Sequence, residues 1–318
     1  MSRLFRDVEG ARLCPDGSVV CIGAFDGLHL GHRALVQRTV TRARDLDVPA
    51  VALSFEPLPR EFFAGQSPPP RLTLPRAKAE GLRVLGVDLV GLMRFDAHTA
   101  LIPAEDFVLK TLVERLAVKE VWVGPEFCFG HRRSGDVALL RSLGDRYGFI
   151  AEKIEPLQVQ GERISSTLIR EALSDGDFAH AARLLGRPYR IGGRVVRGRR
   201  LGRTLGFPTA NLRFPKTPAL SGVYATWVRG VSGSDSTPWP SVSSFGTRPT
   251  VGGGEPLLEA HLFDFDGDLY GRHIEIEFVS KLRDELRFSG LPELTEQMHR
   301  DAALARRILS EQPSRVIV

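Results

Sequence analysis

Two histidines three residues apart, His29 and His32, lie in a glycine-rich segment that could bind phosphate. The segment, GAFDGLHLGH at 23–32, follows an apolar run typical of a β-strand and opens a pattern typical of a helix. Its glycines permit close approach of the backbone, and the first turn of a helix offers free N–H groups to an anion. The two imidazoles can project to one side and donate hydrogen bonds to oxygens on a reacting phosphorus. We interpret the pair as a phosphate site; the alternative is two surface histidines in a glycine-rich turn.

A second polar segment, ISSTLIR at 164–170, opens another predicted helix. Ser166 and Thr167 can cap this helix and bind phosphate oxygens, and Arg170 can add a charge-assisted contact. SFEPLPR at 54–60 and VGPEFCFG at 123–130 follow two further predicted strands. Each segment alone is more typical of capping and packing. Together, and in this order, the segments favour a nucleotide site.

Thr209 and Asn211 end a segment rich in glycine and arginine, residues 193–211. A hydroxyl and an amide carbonyl are hard oxygen ligands, which suit Mg²⁺ carrying nucleotide phosphates. The segment is not a Walker loop, because Arg199 and Arg200 stand where Lys and Ser or Thr are required. Two alternatives remain: a β-hairpin with a solvated arginine face, and an RNA-binding run, although interleaved aromatic residues and a docking helix are lacking.

The elements that must position the first set of residues alternate between apolar runs and longer amphipathic stretches. This alternation predicts a parallel sheet, with ligands bound outside the carboxyl ends of its strands. The predicted strands are residues 19–25, 50–55, 87–93, 120–124 and 149–154. The predicted helices are residues 34–46, 74–86, 104–116 and 136–148, followed by 166–173 and 178–185.

The pattern changes after residue 187, where short alternating segments are separated by Gly, Pro, Ser and Asp. Such a pattern predicts an antiparallel barrel or sandwich. The predicted strands are residues 190–196, 222–228, 239–245, 257–263 and 273–279, and a final helix is expected at 292–309. Residues 231–238, VSGSDSTP, are typical of a hairpin loop. The two patterns predict two domains, residues 1–186 and 187–318.

Composition narrows the class of protein. The chain has 318 residues, 42% hydrophobic and 25% charged, as in ordinary globular proteins. A net charge of +5 favours anionic ligands without selecting one. Three widely spaced cysteines predict neither a disulfide framework nor a thiolate zinc site. Because no apolar stretch reaches eighteen residues and no signal segment is visible, we expect a cytoplasmic protein without a membrane partner.

The motifs of the first half resemble the adenylyltransferase module of the prokaryotic bifunctional riboflavin kinase/FAD synthetase family, within the Rossmann-like HxGH nucleotidyltransferases. The resemblance implies transfer of AMP from ATP to FMN, giving FAD and pyrophosphate. It implies that His29 and His32 are catalytic contacts to the phosphates of ATP. The other implied ATP-binding residues are Gly23, Phe25, Asp26, Gly27, Glu126, Ser166, Thr167 and Arg170. Glu126 stands where the family usually has Asp or Asn, and Cys128 where it often has a basic residue.

The second half resembles the riboflavin kinase module of the same family. The resemblance rests on LGFPTANL, SGVYATW, FGTRPTV, LLEAHLFDFDGDLYG and FVSKLRDELRF, at 205–212, 221–227, 245–251, 257–271 and 278–288. It implies a six-stranded Greek-key β-barrel with a terminal helix that phosphorylates riboflavin using MgATP. Thr209 and Asn211 would hold Mg²⁺. Glu259 would be the catalytic base, because a carboxylate can orient an alcohol and accept its proton; its alternative is a solvent-facing strand glutamate. The implied ATP-binding residues are Gly193, Gly202, Gly206, Pro208, Thr209 and Asn211.

The hypothesis is therefore a bifunctional enzyme that takes riboflavin to FMN in its second domain and FMN to FAD in its first. ATP and Mg²⁺ are the expected cofactors, and riboflavin and FMN the expected small-molecule partners, without nucleic acid. Glu126, Cys128 and Ser244, which replaces a usual Asn, motivate an alternative in which only one activity is live. A second alternative is an RNA-binding regulatory protein of the same fold. The sequence leaves the oligomeric state open.

Overall fold

The computed structural model describes residues 3–65, 67–198, 201–231, 237–247 and 256–312. The chain forms two compact units, the first containing residues 1–69 and 73–166, and the second residues 70–72 and 167–318. Arg199, Arg200, most of the predicted loop 231–238 and the end of FGTRPTV lie outside the described residues. The predicted boundary between residues 186 and 187 remains a prediction.

The first unit is built on a parallel sheet with strand order β1-β4-β3-β2-β5-β6. The strands are β1 Arg3–Phe5, β2 Ser18–Ile22, β3 Ala50–Glu56, β4 Leu89–Arg94, β5 Val118–Val123 and β6 Ile150–Lys153. The helices are α1 Leu30–Asp45, α2 Pro59–Phe63, α3 Pro75–Val84, α4 Ala104–Phe107 and α5 Val137–Tyr147. A short hairpin follows, with β7 Gln158–Val159 and β8 Glu162–Arg163. The Rossmann-like fold predicted for this half is confirmed.

Alternate residues of the central strands supply two cores, one on each face of the sheet. Val20 and Ile22 of β2 pack into one cluster with Leu53, whereas Cys21 packs into the other with Ala52. A parallel sheet covered on both faces needs apolar residues at both alternations. The continuous apolar runs in the sequence reflect this requirement.

The order of the strands fixes where a ligand can bind. β3 and β5 pair with opposite edges of β2, so the connections leaving β2 and β5 run to opposite sides of the sheet. Such a switch in direction opens a crevice at the carboxyl ends of the two strands. The loop after β2 carries the histidine pair and therefore borders this crevice.

One helix of the first unit differs from its prediction. The stretch predicted as a helix at 104–116 starts as α4 but continues from Val108 to Arg115 as a π-helix. Thr111 Oγ1 in this segment donates to the carbonyl of Val8 at 3.1 Å. β1, with three residues at the edge of the sheet, was not predicted from the sequence.

The second unit contains an antiparallel sheet with strand order β10-β13-β12-β11-β14-β9. The strands are β9 Arg190–Arg194, β10 Ala210–Arg213, β11 Gly222–Arg229, β12 Trp239–Thr247, β13 Pro256–Leu262 and β14 His273–Arg283. The helices are α6 Ser166–Asp175, which starts at the end of the first unit, α7 Phe178–Leu185, α8 Leu201–Thr204 and α9 Leu291–Glu311.

This sheet is a nearly closed Greek-key barrel, as predicted. A bridge between Val196 and Asn211 brings the two ends of the sheet together. β11, β12 and β13 pair in succession, and β14 returns to pair with β11, which is the Greek-key connection. The helix predicted at 292–309 is observed as α9, and its Ala302, Ala305 and Leu309 pack on the barrel.

Candidate active sites

Two other segments of the first unit, at Thr73 and at Ser166, hold the loop that follows β2. The N–H of Gly27 donates to Thr73 Oγ1 at 2.8 Å, and the N–H of Thr73 donates to Asp26 Oδ1 at 2.9 Å. Ser166 Oγ donates to the carbonyl of Asp26 at 2.9 Å. The carboxylate of Asp26 is buried and oriented by this network. Asp26 and Ser166, both predicted to bind ATP, thus brace the loop on which the histidines lie.

The loop adopts backbone conformations that side chains rarely take. Phe25 has φ 48° and Leu28 has φ 46°, and both side chains are buried. Gly27, with φ 92°, lies between them. Such left-handed residues persist where the surrounding contacts enforce them, which is common at ligand sites.

The two imidazoles stack at the start of α1. Their ring centroids are 3.7 Å apart with an interplanar angle of 14°. His29 is the N-cap, and its Nδ1 accepts a hydrogen bond from the N–H of His32 at 3.2 Å. Because Nδ1 is an acceptor, neutral His29 carries its proton on Nε2 and can donate it to a ligand. Nδ1 of His32 is buried and has no hydrogen-bond partner among the described residues.

Burial keeps both imidazoles uncharged at neutral pH. Loss of hydration lowers the pKa of His29 to about 4. The pKa of His32 is held well below its ordinary value by burial first, and then by the like charges of His29 and Lys78. The pair is therefore a set of neutral hydrogen-bonding groups rather than a cationic clamp.

Glu126 lies in the loop after β5, on the other side of the crevice. Its Oε1 is 2.7 Å from Nη1 of Arg163 in β8, so this carboxylate is already paired with an arginine. Cys128, two residues on, is exposed. Thr167 and Arg170 belong to the second unit, where Nε of Arg170 donates to the carbonyl of Pro70 at 2.6 Å.

Aromatic side chains at the carboxyl edge of this sheet were missed by the sequence interpretation. Phe55 ends β3, Phe95 follows β4, and Phe62 and Phe63 lie on α2. Phe95 contacts each of the other three edge-on, with centroids 5.4–5.8 Å apart. Phe63 is 70% exposed. Phenylalanines clustered at strand ends were the available signal, because an exposed aromatic cluster is typical of a binding surface.

In the second unit, Glu259 lies directly between Asn211 and Ser244. Antiparallel pairing places Asn211 of β10 and Ser244 of β12 opposite Glu259 of β13. Opposed residues share a face of the sheet, and the buried Leu258 and Ala260 occupy the other face. The three polar side chains therefore form a row on the outer face of the barrel. The predicted proximity of Asn211 and Glu259 is observed.

Thr209 and Asn211 fit a hard cation. Nδ2 of Asn211 donates to the carbonyl of Thr209 at 3.0 Å and to its Oγ1 at 3.2 Å. Oδ1 of Asn211 is buried and has no hydrogen-bond partner among the described residues. A Cβ on Gly198 would lie 2.6 Å from this oxygen, so any larger residue at 198 would crowd it. No cluster of three His, Cys, Asp or Glu side chains that could hold a metal occurs in the described part of the chain.

A groove of about 700 Å³ begins beside Pro208. His261, two residues beyond Glu259, has Nδ1 at 2.9 Å from the carbonyl of Pro208. Phe207 contacts His261 and His299 edge-on, with centroids 5.0 and 4.8 Å away. The lining includes Phe207, His261, Phe263, His299, Ala302 and Arg306. The groove thus has aromatic walls within the second unit.

The three glycines predicted to bind ATP in this unit also have structural reasons to be glycine: packing at Gly193 and Gly202, and backbone conformation at Gly206. A Cβ on Gly193 would lie 2.9 Å from Cδ2 of Leu212, and one on Gly202 would collide with the carbonyl of Phe207. Gly206 has φ 82° after α8. Their proposed contact with ATP stays a prediction.

Comparison with known proteins gives two family matches. A model described as FAD synthetase matches residues 12–168, and a model described as riboflavin kinase matches residues 185–309. A bifunctional riboflavin kinase/FMN adenylyltransferase of Escherichia coli (strain K12) is 45% identical over 307 residues, covering 96% of this chain and 97% of that protein. The protein of the same name from Pseudomonas fluorescens is 42% identical over 315 residues, covering 98% of this chain and 100% of that protein.

A solved structure shares the fold over nearly the whole chain. The crystal structure of a protein described as a macrolide-efflux protein from Streptococcus pneumoniae has a TM-score of 0.74 and 27% sequence identity. It covers 96% of this chain and 98% of its own. Among the described residues of this chain, no helix is long and apolar enough to cross a membrane.

Proposed function

The chain belongs to the bifunctional riboflavin kinase/FMN adenylyltransferase family, and on that premise we propose which of its residues carry each reaction. The enzyme phosphorylates riboflavin with ATP to give FMN, and transfers AMP from ATP to FMN to give FAD and pyrophosphate. We assign the adenylyl transfer to residues 1–186 and the phosphorylation to residues 187–318. ATP as the shared substrate supports a cytoplasmic location.

For adenylyl transfer, His29 and His32 donate hydrogen bonds to the phosphates of ATP. An oxygen of the FMN phosphate attacks the α-phosphorus, a new P–O bond forms, and the bond to pyrophosphate breaks. Charge develops on the oxygens of the reacting phosphorus, where preorganised donors contribute most. The Nε2–H of His29, fixed by the N-cap at its Nδ1, supports this assignment. The first turn of α1 adds backbone donors. The N–H groups of Gly23 and Gly27 already donate to the carbonyl of Leu53 and to Thr73 Oγ1, so these glycines contribute close approach of the backbone instead.

The aromatic cluster formed by Phe55, Phe62, Phe63 and Phe95 is the proposed site for the isoalloxazine ring of FMN. Flavin is planar and aromatic, so it can stack on or pack edge-on against phenylalanine rings. β3 and β4 end at the same edge of the sheet as the histidine loop. An acceptor bound on the cluster would therefore lie along the same edge as ATP.

For phosphorylation, Glu259 orients the ribityl hydroxyl of riboflavin and accepts its proton. The hydroxyl oxygen attacks the γ-phosphorus of ATP and forms a new P–O bond. The bond between the γ-phosphorus and the β-phosphate oxygen breaks, and ADP leaves. Thr209 and Asn211 would hold Mg²⁺, which when bound neutralises charge on the phosphates. The single observation that carries this assignment is the row of Asn211, Glu259 and Ser244 on one face of the barrel.

Along β13, the two substrates of the kinase reaction would bind on opposite sides of Glu259. His261 and the aromatic groove lie on one side of Glu259 and would hold the adenine of ATP. On the other side, Gly246 lies beneath the carboxylate of Glu285, which follows β14. Riboflavin would enter from this side, so that its hydroxyl reaches Glu259.

The proposal is tested by following flavin species with MgATP and riboflavin in single-site variants. Glu259→Gln should leave riboflavin untouched yet still convert supplied FMN to FAD. His32→Ala should accumulate FMN and form little FAD. If either variant blocked both steps, or if Glu259→Gln kept normal phosphorylation, the assignment of residues to reactions would be wrong.

A further inference from the structure

A fully buried lysine contacts the strand next to the histidine loop. Lys78 lies on α3 and is 0% exposed. Its Nζ donates to Ser54 Oγ at 3.1 Å and is 3.7 Å from Oε2 of Glu56. An ammonium is rarely buried, because removal from water is costly unless specific partners compensate. The assignment of residues to the two reactions does not use this side chain.

Ser54 connects the lysine to the loop. Its Oγ donates to the carbonyl of Ala24 at 3.1 Å. A hydroxyl has one proton, so when Ser54 donates to Ala24 it can only accept from Lys78. The hydrogen bonds therefore run in one direction, from Lys78 on α3 to Ser54 on β3 and from Ser54 to the carbonyl of Ala24 in the loop.

Lys78 also acts on the histidines through its charge. The charged side chains on the surrounding elements include Glu56 at the end of β3, Asp26 in the loop, Arg33 in α1 and Lys78 in α3. Farther along the two helices are Arg38, Arg42, Arg44 and Asp45 of α1 and Arg76, Glu80 and Arg83 of α3. Of these, Arg42, Arg44 and Arg76 pair with Glu120, Asp88 and Glu80. Glu56 and Asp26 are both engaged, the first near Lys78 and the second by the N–H of Thr73. Like charge from Lys78 opposes a proton on His32.

Protonation of the histidines would disrupt the geometry of the site as well as its charge. Nδ1 of His29 accepts the N–H of His32, and a proton on Nδ1 would turn this acceptor into a donor. The N-cap of α1 would then be lost. In addition, two imidazolium rings 3.7 Å apart would repel each other.

We propose that Lys78 is a positioning residue for FMN adenylylation: its buried ammonium fixes the loop that carries the histidine pair, through the hydroxyl of Ser54. This inference rests on the proposed function of the histidine pair. Lys78 itself contacts no substrate in this scheme. It acts on the reaction through Ser54 and through the protonation state of the histidines.

The test compares Lys78→Met, Lys78→Arg and Ser54→Ala in the full-length enzyme. For each, kcat of FMN adenylylation is measured between about pH 3.5 and 8, and the histidine rings are titrated by NMR over the same range. Lys78→Met should lower kcat by roughly 10- to 100-fold, because misplaced groups cost about that much. It should also move the acid limb of the profile, and the ring titrations, to higher pH.

The other two variants separate charge from geometry. Lys78→Arg should retain the acid limb, since it keeps the positive charge. Ser54→Ala should lower kcat without moving the limb, since it breaks only the relay. A single cooperative urea transition of the first unit in each variant establishes that the unit carrying the substitution is folded. Unchanged phosphorylation of riboflavin by the same samples establishes that the second unit is intact.

Two results would overturn the inference. One is a Lys78→Met enzyme with normal kcat and an unchanged acid limb; the other is an unchanged ring titration with kcat lost equally at every pH. Failure of the underlying assignment is distinguishable, because His29→Ala and His32→Ala enzymes would then retain adenylylation.

Discussion

His29 combines two demands in one side chain. As the N-cap it must keep Nδ1 unprotonated to accept the N–H of His32, and as a phosphate ligand it must present a proton on Nε2. Only the neutral Nε2–H tautomer satisfies both demands. Burial favours that form, because removal from water penalises the charged imidazolium. Structure and chemistry therefore select the same protonation state.

The same residue links the stability of the first unit to pH. The pKa of His29 is lowered by burial to about 4, from 6.5. A lowered pKa in the folded state means that stability is complete above about 6.5 and is lost as pH falls towards 4, since the unfolded chain then binds the proton more tightly. The loss should reach about 3 kcal/mol.

We expect the free energy of unfolding of the first unit in urea, monitored by hydrogen exchange in peptides of α1, to decrease over this pH range. His29→Asn keeps an oxygen acceptor at the N-cap but does not titrate, so its decline between pH 6.5 and 4 should be smaller. Equal declines in both proteins would contradict this account of His29.

Gly198 offers a second test at the residue scale. A Cβ there would lie 2.6 Å from Oδ1 of Asn211, the oxygen assigned to Mg²⁺. Gly198→Ala should therefore raise the KM for MgATP in riboflavin phosphorylation, by about tenfold or more if one metal ligand is displaced. Adenylylation of supplied FMN is the matched control and should not change. A normal KM in the variant would argue against Asn211 as a ligand.

At the scale of elements, α1 must be held firmly because its first turn carries the histidine pair. Glu120 of β5 is 3% exposed and accepts hydrogen bonds from Arg42 at 2.5 Å and from Trp122 Nε1 at 3.0 Å. Arg38 lies over the ring of Trp122, 4.7 Å from its centroid. These contacts hold α1 against β5, the strand that pairs with β2.

Removing the buried carboxylate of Glu120 takes away the acceptor of Arg42 and Trp122, although Arg42 is 31% exposed and keeps its pair with Asp45. Glu120→Ala should therefore destabilise the first unit by about 2 kcal/mol, the usual range for hydrogen bonds to a charged group. The matched control is Glu152→Ala, since Glu152 pairs with Arg141 at 2.6 Å, is 43% exposed and should cost about 0–1 kcal/mol. Denaturant unfolding of both variants measures the difference; similar losses would show that Glu120 does not hold α1 against β5.

The elements also show how far sequence patterns reach. Alternation and strand–helix order predicted both sheets, and motif position predicted that Asn211 and Glu259 lie together. The pattern did not predict the π-helix at Val108–Arg115, which depends on packing against the N-terminal segment. Nor did it predict that Ser241 and Ser243 face the interior of the barrel, where their hydroxyls contact that of Thr226 at 2.7 Å. Such hydroxyl clusters are visible only once the strands are paired.

The phenylalanine cluster was missed for a related reason. Phe55, Phe62, Phe63 and Phe95 are spread over more than thirty positions. The parallel register of β3 and β4 brings Phe55 to Phe95, and the packing of α2 at the strand ends adds Phe62 and Phe63. In the sequence each one is an ordinary core residue. Their exposure, which distinguishes a binding surface from a core, depends on the tertiary fold.

At the scale of the whole molecule, the two reactions are assigned to different proposed domains of one chain, residues 1–186 and 187–318. FMN is the product of the first reaction and the acceptor of the second. If each site is complete within its own domain, FMN released by one molecule can be adenylylated by another. The two activities should therefore complement each other between molecules.

We expect a mixture of Glu259→Gln and His32→Ala enzymes to make FAD from riboflavin, although each variant alone makes little. FAD should appear after a lag while free FMN accumulates, because the intermediate must diffuse between molecules, and the lag should shorten as the His32→Ala enzyme is increased. Chromatographic separation of the flavins over time measures the length of the lag and the amount of free FMN. Supplied FMN should abolish the lag. A mixture that forms no FAD, while each variant keeps its remaining activity, would mean that the second site accepts FMN only from its own chain.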